Sequence, residues 1–207
     1  TFEKGTYTVK ARKITIKAND AESVYGEPRA ELGYTVSPEN ALVNNDEITN
    51  VQYTANVNET TGVGTYDITL TATISDNYEI TFEKGTYTVK ARKITIKAND
   101  AESVYGEPRA ELGYTVSPEN ALVNNDEITN VQYTADVDET TGVGTYDIEV
   151  TATISDNYEI TFEKGIYTVK QREITITADD KTSVYGDSKA ELTYQVTEGT
   201  IVNNDKA

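Results

Sequence analysis

TFEKGTYTVKARKITIKA, residues 1–18, recurs unchanged at residues 81–98 and returns with a few substitutions at residues 161–178, a spacing of 80 residues both times. Solenoid repeats run to roughly 20 to 50 residues, so a period of this length is that of a domain with its own core. Within the stretch the apolar residues alternate on odd positions at Tyr87 and Val89, then on even positions at Ile94 and Ile96. A slip of one residue turns the buried face of a strand over, so one continuous strand cannot serve a single core on both sides of it. The domain boundary is therefore expected at Lys90, Ala91 and Arg92. No Gly/Ser-rich spacer separates the repeats, and the last strand of one feeds almost directly into the first strand of the next. A stiff joint and an elongated rod of stacked units are the expected products.

The chain then divides into a final strand of a preceding repeat (residues 1–10), a first repeat domain (11–90), a second (91–170) and the truncated first half of a third (171–207). The two full repeats differ at five positions: Asn56/Asp136, Asn58/Asp138, Thr69/Glu149, Leu70/Val150 and Thr86/Ile166. The third diverges more widely, yet it keeps Ile174, Ile176, Ser183-Val184-Tyr185-Gly186, Leu192, Tyr194, Val196 and the run from Val202 to Asp205. Those are the positions expected to be buried or bent.

In the second repeat, Ile94, Ile96 and Ala98 alternate with polar residues as a first strand, and residues 99–102 turn the chain. Leu112, Tyr114 and Val116 form a second strand, ended by Pro118, which cannot donate to a central ladder. Val131, Tyr133, Ala135 and Val137 form a third. The longest strand carries Tyr146, Ile148, Val150, Ala152 and Ile154 on one face. Tyr158, Ile160 and Phe162 make a fifth strand, and Glu163-Lys164-Gly165 reads as a hairpin loop into a sixth at Tyr167 and Val169. A convincing 3.6-residue period is absent, with room only for a short helical turn near Pro118 or Asp126. The fold class is all-β: tandem small domains, each a two-sheet sandwich or a mixed, β-grasp-like sheet.

Composition removes most catalytic chemistry. With no Cys and no His there is no thiolate nucleophile, no Ser-His triad, and no zinc or haem site ligated by those residues. A formal charge of −17 argues against nucleic acid, which is bound by clustered Lys and Arg, and against anionic membrane surfaces. No apolar run approaches the roughly 18 residues that span a bilayer, so membrane insertion is not expected of this segment. Without disulfides each repeat depends on its core, and at this size the margin is a few kcal/mol.

The ordered blocks Lys13-Ile14-Thr15-Ile16, Ser23-Val24-Tyr25-Gly26-Glu27-Pro28, Leu32-x-Tyr34-x-Val36, Leu42-Val43-x-x-Asp46, Val63-Gly64-Thr65-Tyr66, Asn77-Tyr78-x-Ile80-x-Phe82 and Gly85-x-Tyr87-Thr88-Val89 recur in the second repeat. Together they resemble the MBG domain of the YGX type, found as tandem repeats in large bacterial surface proteins and adhesins. The resemblance covers both full repeats and the first half of the third. Where the family usually shows Asp-Pro after Tyr-Gly, this chain has Glu27-Pro28, Glu107-Pro108 and Asp187-Ser188. The resemblance implies an extracellular β-rich stalk or spacer on a bacterial cell surface and names no ligand.

Several residue groups suggest chemistry, each beside a plainer reading. Gly106 is expected to supply a positive φ or a close backbone approach while Tyr105 packs over the core edge, in preference to serving as a binding edge. Asn99-Asp100, Asn124-Asn125-Asp126 and Asp136-x-Asp138-Glu139 are the oxygen-rich turns that calcium favours, and equally the residues that turns use for their own backbone. Lys93 and Lys97 would be the lysines of an internal isopeptide crosslink, yet they become Glu173 and Thr177 in the third unit. Glu149 and Glu159 have the chemistry of a glycosidase pair without any sign of a cleft. The expected site is accordingly empty: no catalytic residues, no metal, no cofactor and no enzyme.

The function expected is mechanical. A strand of about ten residues spans about 33 Å, so strands along the rod would add roughly 35 to 45 Å per repeat. The partners expected are the adjacent repeats of the same chain. The alternative is a multivalent adhesin, whose repeats bind host glycoprotein or glycan weakly and gain avidity by number.

Overall fold

The computed structural model describes residues 1–206. All regular structure among them is β-strand, and no helix long and apolar enough to cross a membrane occurs. In the first repeat the strands are β1 (Arg12–Ala18), β2 (Ala21–Val24), β3 (Tyr34–Ser37), β4 (Thr49–Thr54), β5 (Gly64–Thr73), β6 (Tyr78–Glu83) and β7 (Gly85–Lys90). The second repeats them as β8 (Arg92–Ala98), β9 (Ala101–Val104), β10 (Tyr114–Ser117), β11 (Thr129–Thr134), β12 (Gly144–Thr153), β13 (Tyr158–Glu163) and β14 (Gly165–Lys170). Two further strands, β15 (Thr175–Ala178) and β16 (Tyr194–Glu198), pair antiparallel in the third. Residues 1–10 carry no strand and are exposed.

Each full repeat is built from two mixed sheets. The first repeat has a three-stranded sheet of order β3-β1-β6 and a four-stranded sheet of order β2-β7-β5-β4; the second has β10-β8-β13 and β11-β12-β14-β9. In the first, the opening strand runs parallel to the sixth and antiparallel to the third, with Ile16 opposite Val36 on one side and Phe82 on the other. The sandwich and the mixed sheet that the alternation left open are thus both present in one domain.

Seven strands stand where six were expected. The extra one, β2, begins inside the stretch read as a turn and runs past it: Ala21 to Val24 run parallel to Tyr87 to Lys90 on the four-stranded sheet. Four residues with one strongly apolar member leave no period to read, and the strand is defined by its partner. Leu112, Ala135, Val137 and Ile154 fall outside the strands to which alternation assigned them, although Val137 is buried. Pro118 follows β10 through a cis Ser117-Pro118 bond, at the strand end where its missing N–H costs no ladder bond.

The expected hairpin at Glu163-Lys164-Gly165 is not one. β6 and β7 are separated by Lys84 alone and sit in different sheets, as do β13 and β14 across Lys164. The link is a crossover between sheets, and its glycine is there for proximity: a Cβ on Gly85 would lie 2.5 Å from the Ala18 carbonyl oxygen, and one on Gly165 equally close to that of Ala98.

The described chain gathers into two compact units. The first comprises Thr1–Ile94, Asn120–Glu127 and Ile154–Ile160; the second comprises Thr95–Glu119, Ile128–Thr153 and the chain from Thr161 onward. In the first, Ile14, Ile16, Ala18, Ile68, Leu70, Tyr87 and Val89 are buried from both sheets, and the hydroxyl of the completely buried Tyr87 accepts the Ala30 N–H at 2.7 Å. In the second, Ile96, Ala98, Ile148, Val150, Tyr167 and Val169 are buried in the same manner, with the Tyr167 hydroxyl accepting from Ala110 N at 2.8 Å. Each large aliphatic side chain among them contributes about 1.5 to 3 kcal/mol by leaving water. The slip of alternation coincides with the passage from β7 to β8: Val89 and Ile94 are both buried, with only Ala91 outside strands between them.

Candidate functional site

The first unit contains a whole repeat and three pieces of the next one, residues 91–94, 120–127 and 154–160, and the reason is a built contact around the Tyr-Gly loop. Gly26 sits at φ +83°, in the left-handed region, and a Cβ there would overlap Cγ2 of Val123, which belongs to the following repeat. The Tyr25 ring is buried and meets the Tyr158 ring edge to face at 5.7 Å between centroids. Above the same loop, Arg92 Nε donates to the Tyr25 carbonyl oxygen at 2.8 Å, while its guanidinium lies 3.9 Å from the Glu27 carboxylate. Two asparagines extend the contact. Asn157 Oδ1 accepts the Val63 N–H at 2.9 Å, and Asn124 Nδ2 donates to the Glu59 carbonyl at 3.0 Å.

The second unit contains the same contact one repeat later. Gly106 is at φ +83°, and a Cβ there would overlap Val202 Cγ2. Arg172 Nε donates to the Tyr105 carbonyl at 2.7 Å and its guanidinium pairs with Glu107, while Asn203 Nδ2 donates to the Glu139 carbonyl at 2.8 Å.

Local sequence explains how the pieces are presented. Asn124 and Asn125 both occupy the left-handed region, at φ 55° and 61°, which asparagine tolerates, and the tight turn that results pushes Val123 outward. The turn is anchored to its own repeat, since Val123 N donates to the Tyr158 hydroxyl at 2.9 Å. Burial raises the Tyr158 phenol above its ordinary value, opposed by the Val123 hydrogen bond and reinforced by Asp126 beside it. The close approach expected at Gly106 therefore exists, but its neighbour is the next repeat and not the edge of its own core. Arg92, Val123, Asn157 and Tyr158 carry no sequence signal of a site, and Asn124 carried one only as a calcium-type turn.

The other candidates have local duties. Asp138 Oδ1 accepts from the Thr140 N–H and hydroxyl, each at 2.8 Å, and from the Thr141 hydroxyl at 3.0 Å, which holds its carboxyl below the ordinary range. Asp100 Oδ1 accepts the Ile166 N–H at 2.8 Å. Among the described residues no group of three or more acidic side chains is placed to share a metal ion. Lys93 is exposed and paired with Glu159 at 3.5 Å; Glu149 pairs with Lys164 at 2.8 Å, whose ammonium is raised by Glu149 and then Asp147. The two carboxylates with glycosidase-type chemistry are thus each engaged with a lysine.

The class of protein defined here is a tandem array of all-β domains with a contact that recurs between consecutive repeats. The chain belongs to the MBG domain (YGX type) family, whose model matches residues 14–88 and 94–168. No curated protein matches it. Among solved structures, one match is to the fibronectin(III)-like modules of Clostridium thermocellum CbhA, at 15% identity, 74% of this chain, 90% of that chain and a TM-score of 0.28, a likeness too slight to build on.

Proposed function

We propose that these repeats are a non-catalytic, extracellular stalk segment of a bacterial cell-surface protein, holding a distal functional region away from the cell. The observation that carries this reading is the joint. A single residue, Ala91, separates β7 from β8, and the Tyr25-Gly26 loop is filled by side chains of the following repeat. Repeats connected this way resist bending without a linker of their own. The net charge of −17 would keep neighbouring stalks soluble and apart.

Small-angle X-ray scattering tests the reading: a stalk gives an extended particle with a narrow range of lengths, and a compact or widely bending particle contradicts it. A binding series on host glycoproteins and glycans with one, two and four repeats tests the same reading from the other side. A spacer stays silent at every length, whereas affinity that climbs with repeat number would make the repeats themselves the adhesive surface.

A further inference from the structure

The loop of residues 55–63 joins β4 to β5 and carries one motif with chemistry of its own. Asn58-Glu59-Thr60 has the form Asn-x-Thr, the acceptor pattern of N-linked glycosylation. No other asparagine of the chain is followed two places later by Ser or Thr. The second repeat has Asp138-Glu139-Thr140 at the same place, without the amide.

The turn is built so that the amide nitrogen is the end left over. Asn58 Oδ1 accepts from the Thr60 N–H and the Thr60 hydroxyl, each at 2.9 Å, and from the Thr61 hydroxyl at 3.1 Å. A backbone N–H only donates, so the side-chain atom it meets is the oxygen and Nδ2 is the other end. In the second repeat Asp138 Oδ1 takes the same three bonds, as a carboxylate that can only accept. Asn58 Nδ2 donates to no group among the described residues, and Asn58, Glu59 and Thr60 are all exposed. The loop itself is held on either side of the asparagine. Val57 is buried, the Glu59 carbonyl accepts from Asn124, and the Val63 N–H donates to Asn157.

We propose that Asn58 is an acceptor site for an N-linked sugar, taken from a nucleoside diphosphate sugar by a transferase that reads Asn-x-Thr. Nδ2 attacks C1 of the sugar. The C1–Nδ2 bond forms and the C1–O bond to the diphosphate breaks. The nucleoside diphosphate departs with that electron pair, and Nδ2 gives up one proton to a base of the transferase. Three donors on Oδ1 draw electron density from the amide and make that proton easier to lose. Asp138 has the turn without the N–H, so the second repeat is not modified. The acceptor chemistry is the same whether the repeats serve as a stalk or as an adhesive surface.

Incubation of the full folded chain with uridine diphosphate glucose and a soluble Asn-x-Thr glucosyltransferase, first shown to modify a free peptide of residues 54–64, tests it by mass spectrometry. The chain should gain one hexose, carried on the tryptic peptide of residues 30–84, while the peptide of residues 110–164 gains none. Asn58→Gln and Thr60→Val should each abolish the gain. Asp138→Asn, which completes the motif in the second repeat, should bring a second hexose to residues 110–164. A native chain left unmodified by the active transferase overturns the proposal. So does a hexose that persists in Asn58→Gln, or an Asp138→Asn chain that gains no second one.

Discussion

Val123 occupies the space that a side chain on Gly26 would need: a Cβ there would overlap Val123 Cγ2, and the two residues belong to consecutive repeats. The glycine of the Tyr-Gly pair is therefore required by its neighbour in the array as well as by its own φ of +83°. Gly26→Val and Gly106→Val should each cost more than about 1 kcal/mol, from backbone strain plus the displaced valine. Glu107→Gln should change stability little, because its pairing with Arg172 is at an exposed carboxylate. Thermal unfolding of the variants side by side checks this, and equal midpoints would refute the roles.

Arg92 and Arg12 occupy the same position of successive repeats, yet Arg92 alone of the two has a Tyr-Gly carbonyl to donate to. Arg92→Ala should cost about 1.5 to 3 kcal/mol, the range for a hydrogen bond from a charged donor, whereas Arg12→Ala should stay within about 0.5 kcal/mol. Urea unfolding at low protein concentration separates the two.

The crossover between sheets depends on Gly85 and Gly165. Gly85→Ala would press a methyl against the backbone oxygens of Ala18 and Asn19, neither of which can rotate away. A loss of about 2 kcal/mol or more is expected, in the upper part of the range for point substitutions. Gly5→Ala, with nothing within 4 Å, should be neutral in the same unfolding assay.

The two full repeats should differ in acid. Asp138 is held below the ordinary carboxylate range, chiefly by Thr140 and then Thr141, so its contribution is present above its unfolded-state value and fades as pH falls through the folded-state one. In the first repeat Asn58 accepts the equivalent bond from Thr60 N at 2.9 Å without any charge to titrate. Asp138→Asn should therefore flatten part of the acid limb of the unfolding curve and leave neutral pH stability nearly unchanged. A parallel shift at every pH would contradict this.

Calcium and chelator should be without effect on the melting temperature. Asp138 already accepts hydrogen bonds from its own turn, Asp100 holds the Ile166 N–H, and Asn124 holds the Glu59 carbonyl. A rise of several degrees on adding calcium would show that these turns reorganise around the ion.

What was legible in the residues was the part set by period. The slip between Val89 and Ile94 marks the passage from β7 to β8, and alternation from Tyr146 to Ala152 marks the longest strand, because a half-buried strand must write its two faces into the chain. Strand β2 left no such trace, since its place is fixed by parallel pairing to a partner far along the chain. The Glu-Lys-Gly stretch imitates a hairpin loop because a crossover and a hairpin both need a small residue where backbones come close. The joint was hidden for another reason. Gly26 and Val123 lie in consecutive repeats, and no local pattern joins residues so far apart in the chain; only their positions in space do.

The chain has no cysteine, so two introduced at exposed positions of equivalent strands, Thr71→Cys and Thr151→Cys, can carry spin labels without competition. The distribution of distances between them reports directly on whether the joint holds consecutive repeats in one arrangement. A single narrow distribution is expected in the native background, broadening when Gly26→Val and Arg92→Ala are added together. A broad distribution in the native background, or a narrow one that both substitutions leave untouched, would contradict the joint as the basis of a stiff array.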